Sequence, residues 1–124
     1  MVLKEKALKP ASSGELQLFK AQFFRALANP VRIRILEVLL RGGQTVQALQ
    51  EALGLSQPIV SQQLAILRNR GIVSAHKDGS SVRYTVRDPL VAELLDVARR
   101  IFINQFHTTR GLHRELQREQ RRNI

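Results

Sequence analysis

Residues 45–71 read TVQALQEALGLSQPIVSQQLAILRNRG, and the spacing of apolar and turn-forming residues within them decides the fold. Thr45 caps a short helix in which Val46, Leu49 and Leu53 face inward, and Gly54 supplies its C-terminal turn. Ser56 caps a second helix almost at once. Its apolar positions Val60, Leu64 and Leu67 fall at i, i+4 and i+7, and Gly71 closes it. Two short helices joined through Gly54, Leu55 and Ser56 make a helix-turn-helix.

Working upstream, Ser12 with Glu15 three residues later reads as a capping box. It opens a helix that carries Leu16, Phe19, Phe23, Ala26 and Leu27 on one face. Asn29-Pro30 starts another, combining a side-chain cap with a proline in the first turn, where its missing N–H is harmless. Val31, Ile35, Leu36 and Leu39 form the buried stripe of this helix and Gly42-Gly43 ends it, while Arg32 and Arg34 read as a solvated outer face.

Downstream of Gly71 the period switches from 3.6 to 2. Ile72 to Lys77 reads as one strand, and Val82, Tyr84 and Val86 alternate with Arg83, Thr85 and Arg87 in a second, so that Tyr84 is expected to be buried. Asp78-Gly79 followed by Ser80-Ser81 is the turn signal of a hairpin between them. Asp88-Pro89 repeats the cap-plus-proline start for a long helix through about Phe106, and Gly111 reads as a helix end. The expected fold is mainly α with a small β-hairpin, a winged helix-turn-helix in the order ααααββα. Its organisation is a basic N-terminal arm over 1–14, the winged domain over 15–107 and a basic C-terminal tail over 108–124.

The chain has 124 residues, which implies one domain, and no cysteine, which removes thiolate nucleophiles, cysteine-ligated zinc, iron–sulfur clusters and thiol switches. Lys and Glu are scattered through the first nine residues, so no signal peptide is expected there. No stretch approaches the roughly 18 apolar residues of a membrane span, and the expected compartment is the cytoplasm. With 20 Lys and Arg against 10 Asp and Glu, the net charge is +10 and the partner is expected to be a polyanion. Half of that excess lies beyond residue 98, where seven arginines face only Glu115 and Glu119. Catalysis has no support: no G-x-S-x-G, P-loop or H-E-x-x-H spacing occurs.

On the second helix of the pair, the face opposite Val60, Leu64 and Leu67 carries Pro58, Gln62, Ala65 and Asn69, with Ser61 and Arg68 on its flank. A recognition helix enters the major groove of duplex DNA by its N-terminal residues, which makes Gln57, Ser61 and Gln62 the candidates for base edges. Gln pairs with adenine in two bonds, Ser donates or accepts, and the Pro58 ring can touch a thymine methyl. Arg68 is expected on phosphate, and Lys77, Ser80, Ser81 and Arg83, clustered near the hairpin tip, are expected to follow a phosphate backbone or enter a minor groove. A basic RNA-binding or ribosome-associated protein of the same fold is the alternative. The scarcity of stacking aromatics weighs against it.

All five phenylalanines lie in the first and last helices, away from the DNA-facing residues. The last helix is apolar over more of its circumference than one small domain needs, so a second copy is expected to cover it. Leu16, Phe19, Phe23, Leu94, Ile101, Phe102 and Phe106 are the expected interface residues.

The run Leu27-Ala28-Asn29-Pro30-Val31-Arg32-Ile33-Arg34-Ile35-Leu36, the run from Leu55 to Leu64, Leu67-Arg68 and Gly71-Ile72-Val73 resemble the ArsR/SmtB bacterial transcriptional regulators. The resemblance extends over roughly residues 19 to 103, with several motifs in order. It implies a homodimeric repressor that reads an inverted-repeat operator in double-stranded DNA and pairs through its first and last helices. Metal sensors of that family place a cysteine pair on the third helix, where this chain has Thr45 to Gln50, or an Asp-x-His on the last helix, where Asp96 is followed two residues on by Ala98. His107, His113 and Glu115 are the remaining candidate ligands. Isolated histidines in a basic segment read as solvated surface, so no metal site and no cofactor are expected. The effector is then a small molecule, a partner protein or another signal, or there is none.

Overall fold

The computed structural model describes residues 13–122 and divides into two compact units between Arg87 and Asp88. Among the described residues the elements are α1 (Ser13–Leu27), α2 (Pro30–Leu39), α3 (Val46–Leu53), α4 (Gln57–Asn69), β1 (Val73–Asp78), β2 (Ser81–Val86) and α5 (Leu90–Arg122). The order is the expected ααααββα of a winged helix-turn-helix. Of the expected capping box, Ser12 lies outside the described residues.

Each boundary in the first unit has a local cause. Asn29 adopts extended backbone and its Oδ1 accepts from the N–H groups of Val31 at 2.9 Å and Arg32 at 3.1 Å, with Pro30 at the first helical position. Thr45 Oγ1 accepts from Ala48 N–H at 3.1 Å, and Gly54 ends α3 in the left-handed conformation at φ 66°. Ser56 occupies the N-cap position of α4 but makes no side-chain cap bond.

The core of this unit is one apolar cluster from four helices and the base of the hairpin. Ile35, Leu36 and Leu39 of α2 meet Leu49 of α3, Val60, Leu64 and Leu67 of α4, and Ile72 and Val73, with Ala26 and Leu27 at the end of α1 also buried. Each such large side chain contributes about 1.5 to 3 kcal/mol on burial, enough together to hold the two short helices in one orientation. The stripe of α4 is therefore wholly used for packing, which leaves its opposite face to solvent.

β1 and β2 pair antiparallel from Val73↔Val86 to Asp78↔Ser81 across the two-residue loop Gly79-Ser80, where Gly79 takes φ 66°. The first strand starts one residue later than the sequence predicts, because Ile72 closes α4 instead, its N–H bonding the Leu67 carbonyl at 2.9 Å. The second strand is not buried alternately. Val82, expected inside, is 38% exposed, and Tyr84 is half-buried. The core ends beneath Val73 and Val86, and the hairpin projects beyond it. Gln44 extends the sheet by one bridge to Tyr84, with backbone bonds of 3.0 and 2.8 Å. That bridge brings Gly43 against β2, where a Cβ would stand 2.8 Å from Thr85 Cγ2.

In the second unit Asp88 Oδ1 accepts from Leu90 N–H at 2.9 Å and starts α5 as predicted. The expected end near Phe106 and Gly111 is not found, since the helix runs unbroken for 33 residues to Arg122. A helical glycine is only about 1 kcal/mol less favourable than alanine. The strong helix formers from Leu112 to Arg122 and the pairing of Arg118 with Glu115 at 3.7 Å outweigh it.

Candidate nucleic-acid interface

The face of α4 away from the core is continuous and polar. Gln57, Pro58, Gln62, Ala65, Arg68 and Asn69 are exposed and Ser61 is half-buried, as the helical spacing predicts. Gln57 Nε2 donates to Ser61 Oγ at 2.7 Å, so two of the three candidate base-reading side chains are already aligned with one another. The Gln62 amide makes no bond within the fold among the described residues, and it has both a donor and an acceptor to offer a base edge. Ile59, 41% exposed beside this face, is an apolar contact that polarity-based reading passes over. The N-terminal N–H groups of α4 add partial positive charge at the same end.

The hairpin residues do not form the single cluster expected of them. Cross-strand neighbours share a face, so Asp78 and Ser81 stand with His76 and Arg83, while Lys77 stands with Val82 on the other side. Arg83 is held at its base: Nη1 donates to the Gly43 carbonyl and Nε lies 3.5 Å from Asp78 Oδ2. Lys77 and Ser80 remain exposed at the tip, and exposed His76 is a wing residue missed by the sequence reading. The strand alternation that places His76 opposite Arg83 was the signal for it.

Arg32 corrects the sequence reading more sharply. It is half-buried rather than solvated, and its guanidinium donates to the Ala26 carbonyl at 2.6 Å, the Arg25 carbonyl at 3.2 Å and Gln63 Oε1 at 2.7 Å. It therefore closes the C-terminus of α1 and fastens α4 one residue from Gln62. Arg34, exposed as expected, also reaches a helix end, the Leu53 carbonyl at 3.1 Å.

Apolar side chains stand in solvent on both terminal helices, each considered by itself. On α1 these are Leu16, Leu18, Phe19 and Phe24, whereas Phe23 is half-buried and packs edge-on to Phe24 with ring centres 5.6 Å apart. On α5, Ile101, Phe102 and Phe106 are exposed and Leu94 is half-buried. His107, His113 and Glu115 do not converge. On one helix His113 and Glu115 point about 120° and 80° away from His107 and about 160° from each other, and His113 Nε2 instead lies 3.0 Å from Gln117 Nε2. Among the described residues no group of three His, Cys, Asp or Glu side chains comes together, and no helix is long and apolar enough to cross a membrane.

Comparison with known proteins places this arrangement. The family model of bacterial regulatory proteins of the arsR family matches residues 29–75, from the cap of α2 into β1. An HTH-type transcriptional regulator of Mycobacterium tuberculosis, Rv0081, is 44% identical over 90 residues, spanning 72% of this chain and 79% of its own. Its crystal structure superposes with a TM-score of 0.71 over 78% of this chain and 96% of that one, at 40% identity. A mercury resistance operon repressor of Streptomyces lividans is 49% identical over 79 residues, 64% of this chain and 63% of the repressor. The solution structure of the homodimeric winged helix-turn-helix DNA-binding domain Mb0332 of Mycobacterium bovis gives a TM-score of 0.70 at 27% identity, over 80% of this chain and 94% of that one.

Proposed function

The chain belongs to the ArsR family of bacterial transcriptional regulators, and from that premise we propose that it is a homodimeric repressor reading an inverted-repeat operator in duplex DNA. The observation that carries the reading is the division of α4 into a buried stripe of Val60, Leu64 and Leu67 and an outward row of Gln57, Pro58, Ser61 and Gln62. A helix fastened by one face and polar on the other inserts its polar row into a major groove without rearranging. Gln57, Ser61 and Gln62 read base edges, Pro58 meets a thymine methyl, and Arg68, Lys77, Ser80, Ser81 and Arg83 meet phosphate. The homodimeric Mycobacterium bovis domain supports the pairing, which here runs through Leu16, Phe19 and Phe23 of α1 and Leu94, Ile101, Phe102 and Phe106 of α5. An RNA-binding role finds less support, since Tyr84, the only wing aromatic, is half-buried and bridged to Gln44.

Gln62→Ala, compared with wild type on an operator selected from a random duplex library, is expected to lose about 1 to 3 kcal/mol of binding and to leave random duplex nearly unaffected. Equal losses on both would remove Gln62 from base reading.

Regulation through the metal sites of the family does not fit these residues. The Streptomyces relative is by name a repressor of mercury resistance, and soft metals take thiolates, which this chain lacks altogether. Asp96 is followed two residues on by Ala98 rather than a histidine, and His107, His113 and Glu115 diverge around α5. Calorimetric titration with Zn²⁺ and Ni²⁺ is expected to show no stoichiometric submicromolar site that alters operator affinity; finding one refutes the assignment. Repression is then constitutive or relieved by a small molecule, a partner protein or another signal.

A further inference from the structure

We propose that α5 carries a second, sequence-independent binding surface for the phosphates of duplex DNA, made by an arginine face that runs from Arg99 to Arg122. It uses none of the residues of α4 or the wing, and it deepens the DNA-binding reading above. The sequence shows only that the C-terminal segment is basic; the unbroken helix turns that composition into a surface. At about 100° per residue, Arg99, Arg100, Arg110, Arg114, Arg118, Arg121 and Arg122 all fall within an arc of about 140°. All seven are exposed. Over 23 helical steps the face is about 35 Å long, close to one turn of B-form duplex.

The charge on this face is only partly used within the protein. Asp96 lies in the arc and pairs with Arg99 at 3.5 Å and Arg100 at 3.2 Å, and Glu115 at its edge pairs with Arg118 and Arg122 at 3.7 Å. Among the described residues Arg110, Arg114 and Arg121 have no carboxylate partner, and Arg110 lies over the Phe106 ring at 5.2 Å. Gly111 falls within the same arc with open space where a side chain would project, so a phosphate backbone can approach the helix closely there. Ile103, Asn104, His107 and Gln117 occupy the other positions of the arc.

Two other polyanions fit less well. An anionic lipid surface needs an apolar face to enter it, and from Asn104 to Arg122 the only large apolar residues are Phe106, Leu112 and Leu116. Phe102 and Phe106 are moreover taken up by the proposed pairing of copies. Single-stranded nucleic acid needs stacking rings, and the same stretch offers one phenyl ring, already covered by Arg110, and otherwise only the imidazoles of His107 and His113.

The test compares the full-length wild type with two triple variants, Arg114→Gln/Arg118→Gln/Arg121→Gln and the corresponding Lys variant. Both replacements are good helix formers at exposed positions, so circular dichroism is expected to match wild type. On a random duplex of about 40 base pairs, the Gln variant is expected to bind at least about tenfold more weakly at moderate salt. Its slope of log affinity against log salt is expected to be shallower by about 3 for each helix engaged. The Lys variant is expected to keep most of the wild-type slope, since phosphate accepts either cation, and the operator-to-random ratio is expected to stay the same in all three proteins. An unchanged slope in the Gln variant overturns the proposal, and so does a Lys variant as weak as the Gln variant. Loss of cosedimentation with phosphatidylserine vesicles in the Gln variant, with duplex binding intact, overturns it in favour of a membrane. If wild type shows no operator preference while the arginine effect persists, the operator reading fails and this surface stands.

Discussion

Phe102→Asp is expected to convert the dimer to folded monomers and to abolish operator binding in the concentration range where wild type is saturated. The ring is 60% exposed in its own chain, so the substitution removes little packing from the monomer, and circular dichroism and thermal unfolding are expected to change little. In the proposed pairing the same position is buried against a second copy, and two-fold symmetry places the carboxylate there twice. An unpaired buried charge costs several kcal/mol, and about 1.4 kcal/mol is a tenfold change, so the dimer weakens by at least about three orders of magnitude. A monomer then meets the operator through one half-site and loses the gain from engaging both at once. Sedimentation with operator titration measures both effects. A Phe102→Asp protein that sediments and binds like wild type would show that α5 does not form the seam, and wild type sedimenting as a monomer at micromolar concentration would remove the dimer altogether.

The second large effect is expected at Arg32. Its guanidinium makes three bonds, to the carbonyls of Arg25 and Ala26 and to Gln63 Oε1, so Arg32→Ala leaves the Ala26 carbonyl and the Gln63 amide oxygen without this donor, while the Arg25 carbonyl keeps its bond from Ala28 N–H at 3.1 Å. Bonds from a charged donor are worth about 1.5 to 3 kcal/mol singly and do not add. The expected loss in stability is about 2 to 4 kcal/mol by urea unfolding, a large share of what a small domain has. Lysine is expected to restore little, because a single ammonium cannot reproduce the planar fork that reaches three acceptors. Since Gln63 adjoins Gln62, operator affinity is expected to fall even where the variant is folded. A loss below about 0.5 kcal/mol would mean that the bonds contribute nothing net to the fold.

Arg32 also marks where reading the chain locally stops working. Caps and turns were legible because their partners lie within a few residues: Asn29 bonds Val31, Thr45 bonds Ala48, and Gly54 needs only its own φ. The α4 stripe was legible for a related reason, since a helix repeats every 3.6 residues whatever it packs against. From those two sources came the element order, most of the core and the outward row Gln57, Pro58, Ser61 and Gln62. The helix end at Gly111 failed because a glycine's preference of about 1 kcal/mol is small against a full turn of good helix formers beyond it.

Apart from the far end of α5, the sequence by itself therefore determined which segments become helix and strand and which face of each is apolar, because those depend on neighbours within one or two turns. Tertiary structure alone decided what the polar side chains do. Arg32 finds Gln63 31 residues away, Arg83 finds Gly43 40 residues away, and Tyr84 is bridged by Gln44. Val82 stays in water because the core ends below it. A guanidinium at the end of a long flexible side chain takes whichever acceptors the packed backbone brings within reach. Periodicity along the chain carries no record of that distance.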